Sequence, residues 1–332
     1  MMKLFGFNPP ENKIFYENDV IHFDNSPFLF LKQHDSAQHQ YQYFLGERTL
    51  TEQKYELFER NAAFNVDYCM KKEITYQHIV FPAKIPFFSS LFRQAGIDVK
   101  PLFCKRHKHS NVHYPYSTLD MEHDFMVQDT HNSDTGKIKL VKFMMSKLNV
   151  DYIEHTPIWK DVEVVGDMGK RLGRSGYREK KLVGFEGLKT KPKLFSTTSA
   201  LSGNSGQIFF SINPNAAKNS RILLFGDSFL HTCINIFAHQ FTEVIYIRSP
   251  FVIPDIADNL EPDYIITSNA ERYLTSIQDA EAKKPYFLNY FSSAFNPSNF
   301  SLANKNALFA LFSGRRSHTY NVWKREVVKE LM

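Results

Sequence analysis

Short apolar runs alternate with amphipathic segments along most of this chain. The runs at 77–81, 99–103, 207–212, 222–225, 243–247 and 263–267 have the length and residue types of buried strands. Apolar positions three and four apart predict helices at 52–71, 87–94, 134–148 and 229–241, and again at 307–312 and 321–331. Because strands that alternate with helices favour parallel pairing, the pattern predicts a three-layer α/β/α protein with a mostly parallel sheet.

Two stretches depart from this alternation. Residues 1–27 are polar, aromatic and turn-rich, which indicates an irregular lead-in. Residues 169–193 contain nine Lys or Arg and two Glu, a local charge of +7, together with four dispersed glycines after Gly169. This composition predicts a basic loop or a loose hairpin. Thr49 and Glu52 have the spacing of a capping box and predict the start of the helix at 52–71.

The tripeptide Gly-Asp-Ser at 226–228 joins the predicted strand at 222–225 to an amphipathic segment. A serine at such a strand-to-helix turn exposes its hydroxyl and points its backbone N–H at a developing anion. Ser228 is therefore a candidate nucleophile, by the logic of the nucleophile elbow but with a different sequence. The alternative is an ordinary turn, in which Gly, Asp and Ser are all common.

A nucleophilic serine requires a base, and Asp129 and His131 supply the best candidates. In an extended segment, residues two apart point to the same side, so the carboxylate can orient the imidazole. Ser133 or Asp134 can then cap the helix that follows. The alternative is a pair of surface loop residues.

The order of these motifs carries a resemblance. Gly-Asp-Ser-Phe at 226–229, preceded by Asp-Thr-His at 129–131, resembles the SGNH-hydrolase-like family of the alginate O-acetyltransferases, AlgJ and AlgX. In ordinary GDSL esterases the Asp and His follow the Ser motif instead. Further short segments resemble the family at 28–30, 43–46, 79–84, 165–169, 262–266 and 271–274. One departure is Asn132, which stands where the family usually has Trp and puts the acceptor contacts of that Trp in doubt.

The resemblance implies an SGNH-like catalytic domain at about 28–275, with a basic loop or β insert at about 169–220 and a C-terminal helical extension at 276–332. It implies a carbohydrate O-acetyltransferase of surface or capsular polysaccharide that works through an acyl-Ser228 intermediate. An esterase or deacetylase with the same triad is the first alternative. A glycan-binding relative without activity is the second.

Polar residues near the ends of the predicted strands extend the candidate site. Ligands of doubly wound sheets bind beyond the carboxyl ends of the strands, where Gly226, Arg248 and Asn269 fall. Asn269 could donate to an oxyanion, and Arg248 could bind an anionic group of the substrate. Basic residues that could hold an anionic donor or acceptor are Lys170, Arg171, Arg174, Lys180 and Lys181. The alternative for this basic segment is a solubilising loop.

Composition narrows the classes of function. The 332 residues carry a mild net charge of +5 and no nucleic-acid-binding motif. Three widely spaced cysteines form neither a disulfide framework nor a metal-ligand spacing. The histidines of 105–113 are interrupted by Lys and Arg, which favours a solvated basic loop over a metal site. We expect no bound cofactor, with acetyl-CoA as a candidate acyl donor and a carbohydrate as acceptor.

Neither a signal peptide nor a membrane-spanning run is evident. The first ten residues lack a long apolar core, and no run of 18 apolar residues occurs. The expectation is a cytoplasmic protein, with association with a membrane polysaccharide-assembly complex left open. The sequence does not determine the sugar, the oligomeric state or the role of the C-terminal extension.

Overall fold

The computed structural model describes residues 12–33, 40–102, 109–187, 191–201, 206–249, 251–277, 279 and 299–332. The strands are β1 (Ile14–Glu17), β2 (Val20–Phe23), β3 (Ser26–Leu31), β4 (Thr75–Phe81), β5 (Val112–His113), β6 (Pro157–Val164), β7 (Tyr177–Phe185), β8 (Lys193–Ser196), β9 (Ile208–Ile212), β10 (Lys218–Phe225), β11 (Phe241–Ile247) and β12 (Tyr264–Ala270). The helices are α1 (Gln40–Leu45), α2 (Glu52–Lys71), α3 (Lys84–Phe87), α4 (Ser89–Gln94), α5 (Asp134–Lys147), α6 (Asp167–Arg171), α7 (Ser228–His231), α8 (Ile234–Gln240), α9 (Pro254–Leu260), α10 (Leu302–Phe312) and α11 (His318–Leu331).

The central sheet has the strand order β5-β4-β12-β10-β11-β9-β8. The strands from β5 to β11 in this order pair in parallel, whereas β9 and β8 are antiparallel additions at one edge. Parallel strands end at the same side, so the carboxyl ends of β4, β12, β10 and β11 form one continuous edge. The predicted α/β architecture with a mostly parallel sheet is confirmed.

Alternate residues of β10 pack into two different cores. Ile222 and Leu224 lie in a cluster with apolar side chains of α5 and α8. Leu223 and Phe225 lie in a second cluster with side chains of α9, α10 and α11. All four are completely buried, which explains why the second half of β10, at 222–225, is continuously apolar rather than alternating. The two clusters lie on opposite faces of the sheet, each between the sheet and the helices that cover that face.

The predicted irregular lead-in is wrong for the described part of 1–27. Strands β1, β2 and β3 form a three-stranded antiparallel sheet, and residues 1–11 lie outside the described residues. Asn18 and Asp19 make the tight β1–β2 turn with φ of 47° and 63°. Asn and Asp tolerate the left-handed region better than most residues, so a two-residue hairpin was encoded where polar composition suggested a loop.

Three other local predictions need correction. Helix α2 has Thr51 rather than Thr49 as its N-cap, without a capping hydrogen bond from the Thr51 side chain. Residues 99–102 form no strand, and the edge strand that pairs with β4 opposite β12 is β5. The predicted helix at 229–241 is divided into α7 and α8, and Phe241 begins β11. The apolar spacing was nevertheless informative, because the four residues that carry it are all buried: Phe229, Cys233, Phe237 and Phe241.

Other elements agree with their patterns. Ser133 caps α5, accepting a hydrogen bond from the Gly136 N–H at 3.1 Å. By contrast, the basic segment differs from its prediction as a loop or loose hairpin, because it supplies β7, whose antiparallel partner β6 lies before the segment. Burial raises the pKa of each of the free thiols Cys69 and Cys233 to about 12. Among the described helices, none is both long enough and apolar enough to cross a bilayer.

His78 of β4 predicts an acid-sensitive fold. Its Nδ1 lies 2.7 Å from Thr267 Oγ1 and its Nε2 lies 2.8 Å from Asn269 Oδ1. Burial lowers its pKa from 6.5 to about 4. The unfolded chain binds a proton at this residue more tightly than the folded chain does. The contribution of neutral His78 to the free energy of unfolding is therefore fully present above pH 6.5. As the pH falls towards 4, a contribution on the order of 3 kcal/mol is lost.

We therefore expect His78→Gln to be less stable than wild type at pH 7, with a smaller loss of stability between pH 6.5 and 4. Urea unfolding of both proteins across this range measures the difference. Parallel pH profiles for the two proteins would show that His78 is not responsible.

Candidate active site

The main chain around Ser228 is attached to both neighbouring strands. Asp227 caps α7, with Oδ1 accepting from the Phe229 N–H at 2.9 Å, while Oδ2 accepts from the Ala270 N–H at 2.6 Å. The Tyr246 hydroxyl lies 2.9 Å from the carbonyl oxygens of both Gly226 and Asp227. The half-buried Ser228 is thus presented from a turn that β11 and β12 hold in place.

Glycine is required at 226 because a side chain of the neighbouring strand lies close to its Cα, and not because of an unusual φ. A Cβ at this position would lie 2.3 Å from Ser268 Oγ, which is completely buried on β12. Any side chain would therefore displace β10 from its neighbour or shift the turn. This packing alone accounts for a glycine at 226, and it gives no evidence that Gly226 contacts an oxyanion during a reaction.

Asp129 and His131 form the pair expected from their spacing. Asp129 Oδ1 lies 2.6 Å from His131 Nδ1 and 3.0 Å from the His131 N–H, and Oδ2 accepts from the Asp167 N–H at 3.1 Å. Burial alone would raise the pKa of Asp129, but its hydrogen bonds to His131 and the charge of that imidazole lower it below the usual range. Since the ionised carboxylate can only accept, Nδ1 is the donor of this hydrogen bond, and Nε2 is the nitrogen that a neutral imidazole would use as a base.

The structure places this pair beside the Ser228 turn. The His131 ring lies 4.7 Å, between ring centroids, from Phe229, the residue after Ser228. His131 Nε2 is buried and has no hydrogen-bond partner among the described residues, Ser228 included. The nitrogen needed to take a proton is therefore available, although no direct hydrogen bond joins it to Ser228 Oγ.

Asn269 and Arg248 differ in their availability. Asn269 lies within β12 rather than after the strand that was predicted, and its side chain is engaged on both sides. Its Oδ1 accepts from His78, and its Nδ2 donates to the Ala270 carbonyl at 3.0 Å. Arg248 directly follows β11 and is half-buried. Burial, and after it the positive charge of Arg248, lower the pKa of His231 on α7 to about 4.

Part of the basic segment is neutralised by structural partners. Arg171 faces Asp19 at 3.8 Å, and Lys181 faces Asp134 at 3.9 Å. Within the described part of the chain, Lys170, Arg174 and Lys180 form no ion pair. Residues 188–190 lie outside the described residues, so Lys189 is not placed. The remaining unpaired cations are the ones that could contact an anionic ligand.

Sequence reasoning missed two cations that border the candidate site. Lys84 and Arg272 both line a small cavity with Thr130, Phe229 and Ala270. The Arg272 guanidinium lies 5.1 Å from the centroid of the Phe229 ring, and its Nε is buried without a hydrogen-bond partner in the described residues. Both residues fall within the motifs noted at 79–84 and 271–274, but nothing in those motifs indicated what the side chains contact.

The comparisons support the fold. No protein-family model and no curated protein sequence matches this chain. Among solved structures, it resembles a DHHW family protein from Eubacterium siraeum at a TM-score of 0.55 and 11% identity, over 81% of this chain and 96% of that one. It resembles Bacillus cereus PatB1 at a TM-score of 0.53 and 10% identity, over 80% and 98% of the two chains.

A weaker likeness is to the O-acetyltransferase domain of Pseudomonas putida AlgJ, at a TM-score of 0.44 and 12% identity, over 84% of this chain and 98% of that one. For the DHHW family protein and PatB1, identities of 10–11% show a shared fold and do not transfer an activity. The likeness to these two structures agrees with the α/β/α class that the sequence predicted.

The double role of Asp227 gives a stability prediction. Asp227→Ala removes the acceptors of two buried backbone N–H groups, so we expect a loss of about 2–4 kcal/mol in the free energy of unfolding. Asp255→Ala, at the exposed first turn of α9, is the matched control and should cost about 0.5 kcal/mol. Urea denaturation measures both. Equal losses in the two variants would contradict the bridging role of Asp227.

Proposed function

We propose that this protein is a carbohydrate O-acetyltransferase in which Ser228 is the nucleophile, His131 the general base and acid, and Asp129 the residue that orients His131. The observation that carries the proposal is the buried, unpartnered Nε2 of an Asp129-bound imidazole beside the Ser228 turn. The order of the Asp-x-His and Gly-Asp-Ser motifs supports acyl transfer, and the fold shared with PatB1 is compatible with it.

The first half-reaction loads the serine. His131 Nε2 takes the proton of Ser228 Oγ as that oxygen attacks the acyl carbonyl of the donor. The imidazolium, stabilised by the Asp129 carboxylate, then protonates the leaving group. The second half-reaction repeats these steps with a sugar hydroxyl as the attacking group, which regenerates Ser228 and releases the ester.

The turn also indicates which backbone donor faces the oxyanion. The Phe229 N–H is already engaged by Asp227 Oδ1. The Ser228 N–H makes no hydrogen bond among the described residues, so we assign it to the developing oxyanion. Asn269 is a second candidate donor only if its amide exchanges its bond to the Ala270 carbonyl for one to substrate.

The donor, the acceptor and the cellular place belong to the same proposal. Acetyl-CoA is the donor class that the basic residues favour, and a surface or capsular polysaccharide is the acceptor class that the motif resemblance favours. We place the reaction in the cytoplasm or at a membrane-associated assembly complex. An esterase would use the same three residues, because only the exclusion of water from the acyl-enzyme separates transfer from hydrolysis.

Labelling tests the nucleophile and its base. We expect a fluorophosphonate to label wild type at Ser228, and Ser228→Ala to remain unlabelled. His131→Ala should label at least about 100-fold more slowly, because general base catalysis contributes on this order. Mass spectrometry of the labelled peptide gives the site and the rate. Undiminished labelling of Ser228→Ala would refute the nucleophile assignment.

Transfer and hydrolysis are then separated with labelled acetyl-CoA, with and without candidate glycans. A transferase forms an acetyl ester that depends on the acceptor, whereas an esterase releases acetate at the same rate in both conditions. A glycan-binding protein without activity gives neither product.

The unpaired Lys180 provides a test of the basic segment. We expect Lys180→Glu to raise KM for an anionic donor or acceptor about fivefold at low ionic strength and less at high salt, since salt screens the attraction. Lys329→Glu, on the exposed end of α11, makes the same change in net charge and serves as the control. A KM that is unchanged in Lys180→Glu at both salt concentrations would return the segment to a solubilising role.

A further inference from the structure

Lys84 begins α3 directly after β4 and is only 6% exposed. Its Nζ donates to the backbone rather than to a side-chain partner. The accepting carbonyl oxygens, with their distances from Nζ, are Leu29 at 2.9 Å, Met126 at 2.6 Å, Val127 at 3.1 Å and Asp129 at 3.3 Å. Three of these four lie in the short segment that leads into the Asp129–His131 pair.

The desolvation of the Lys84 ammonium is costly in these largely apolar surroundings. The rings of Phe28, Phe30 and Phe88 lie 5.0, 5.2 and 5.9 Å from Nζ between nitrogen and centroid, and no carboxylate is hydrogen-bonded to it among the described residues. Burial lowers the pKa of Lys84 to about 7, against the opposing charges of Asp129, Glu179 and Asp167. A methionine would fill about the same volume without this desolvation cost. The presence of a charged side chain here therefore requires an explanation.

The reason lies in the shape of segment 126–131, which has no regular secondary structure. Carbonyl oxygens of Met126, Val127 and Asp129 converge on one point and would repel each other without a cation between them. Around them, the Val127 N–H donates to Glu179 at 2.7 Å, and the Gln128 carbonyl accepts from two N–H groups of α6 at 3.2 Å each. The ammonium is the group that several of these carbonyls share.

We propose that Lys84 is a positioning residue, whose ammonium holds the 126–129 backbone so that the Asp129 carboxylate keeps His131 directed at the Ser228 turn. The proposal rests on the acyl transfer inferred above. It assigns Lys84 no contact with substrate. It also extends beyond stability, because the residue would determine the orientation of the imidazole and not merely the folding of the chain.

The test compares Lys84→Met, which keeps the volume but removes the charge and its donors, with Leu311→Ala. Leu311 is completely buried on α10 in the cluster on the opposite side of the sheet, so its truncation costs about 2–5 kcal/mol away from the site. Each variant is measured in the full chain by thermal unfolding, by steady-state kinetics, and by nuclear magnetic resonance of ¹⁵N-labelled histidine. The last method follows the His131 Nδ1–H that is bonded to Asp129.

We expect Lys84→Met to lower kcat about 100-fold while KM for the acceptor stays within about twofold, since misplacement of the base affects the chemical step and not binding. The Nδ1–H signal of His131 should shift or broaden. Leu311→Ala should lose thermal stability but keep kcat and the His131 signal. If Lys84→Met does not fold, Lys84→Gln, which keeps a shorter amide donor, should show the same changes to a smaller extent.

An unchanged His131 signal and unchanged kcat in a folded Lys84 variant would overturn the proposal. The spectroscopic comparison requires no turnover, so it separates the two inferences. If wild type neither transfers an acyl group nor reacts at Ser228, the proposed function fails, and the His131 signal alone still decides whether Lys84 positions the pair.

Discussion

The parallel pairing of β4, β12, β10 and β11 is the constraint on which the candidate site depends. It brings four carboxyl ends to one edge of the sheet, and the polar contacts of the site are links between these neighbours. Asp227 after β10 bonds to Ala270 of β12, Tyr246 of β11 reaches back to the β10 turn, and His78 of β4 bonds to Asn269 of β12. A slip in the register of β12 alone would break two of these three links, the ones made by Ala270 and Asn269.

Buried charges lie near both ends of the strands of this sheet. At the end opposite Ser228, the completely buried Arg221 of β10 pairs with Glu243 of β11 at 2.5 Å, and Lys324 of α11 pairs with the same carboxylate. This network joins the C-terminal helices to the sheet. At the end near Ser228, the Lys84 ammonium is hydrogen-bonded to backbone carbonyls and not to a carboxylate. Each arrangement provides partners for a buried charge. Only the Lys84 ammonium does so in a segment whose backbone has no regular hydrogen-bonding pattern.

The sequence predicted the elements that depend on local pattern and missed those that depend on register. The strand at 222–225, the turn that presents Ser228 and the cap of α5 at Ser133 could all be predicted, because periodicity and capping are properties of neighbouring residues. The spacing of Asp129 and His131 also predicted their mutual contact, and the resemblance supported their assignment as partners of a serine about 100 residues away. Tyr246 and Lys84 could not be assigned in this way, since an apolar strand with one Tyr, or a Lys after Pro-Ala, looks the same whether the polar atom meets solvent or a buried carbonyl.

The two halves of the candidate site are anchored separately, so their relative alignment requires a contact of its own. Ser228 belongs to the sheet edge, whereas His131 belongs to a segment attached to β3, α3 and α6. Phe229 lies between them: its ring contacts His131 at 4.7 Å and Phe81 of β4 at 5.7 Å, with the Arg272 guanidinium at 5.1 Å. The aromatic residue after the serine therefore does more than fill the core. It relates the position of His131 to that of Ser228, and this explains in physical terms why a large apolar side chain follows Gly-Asp-Ser in this chain.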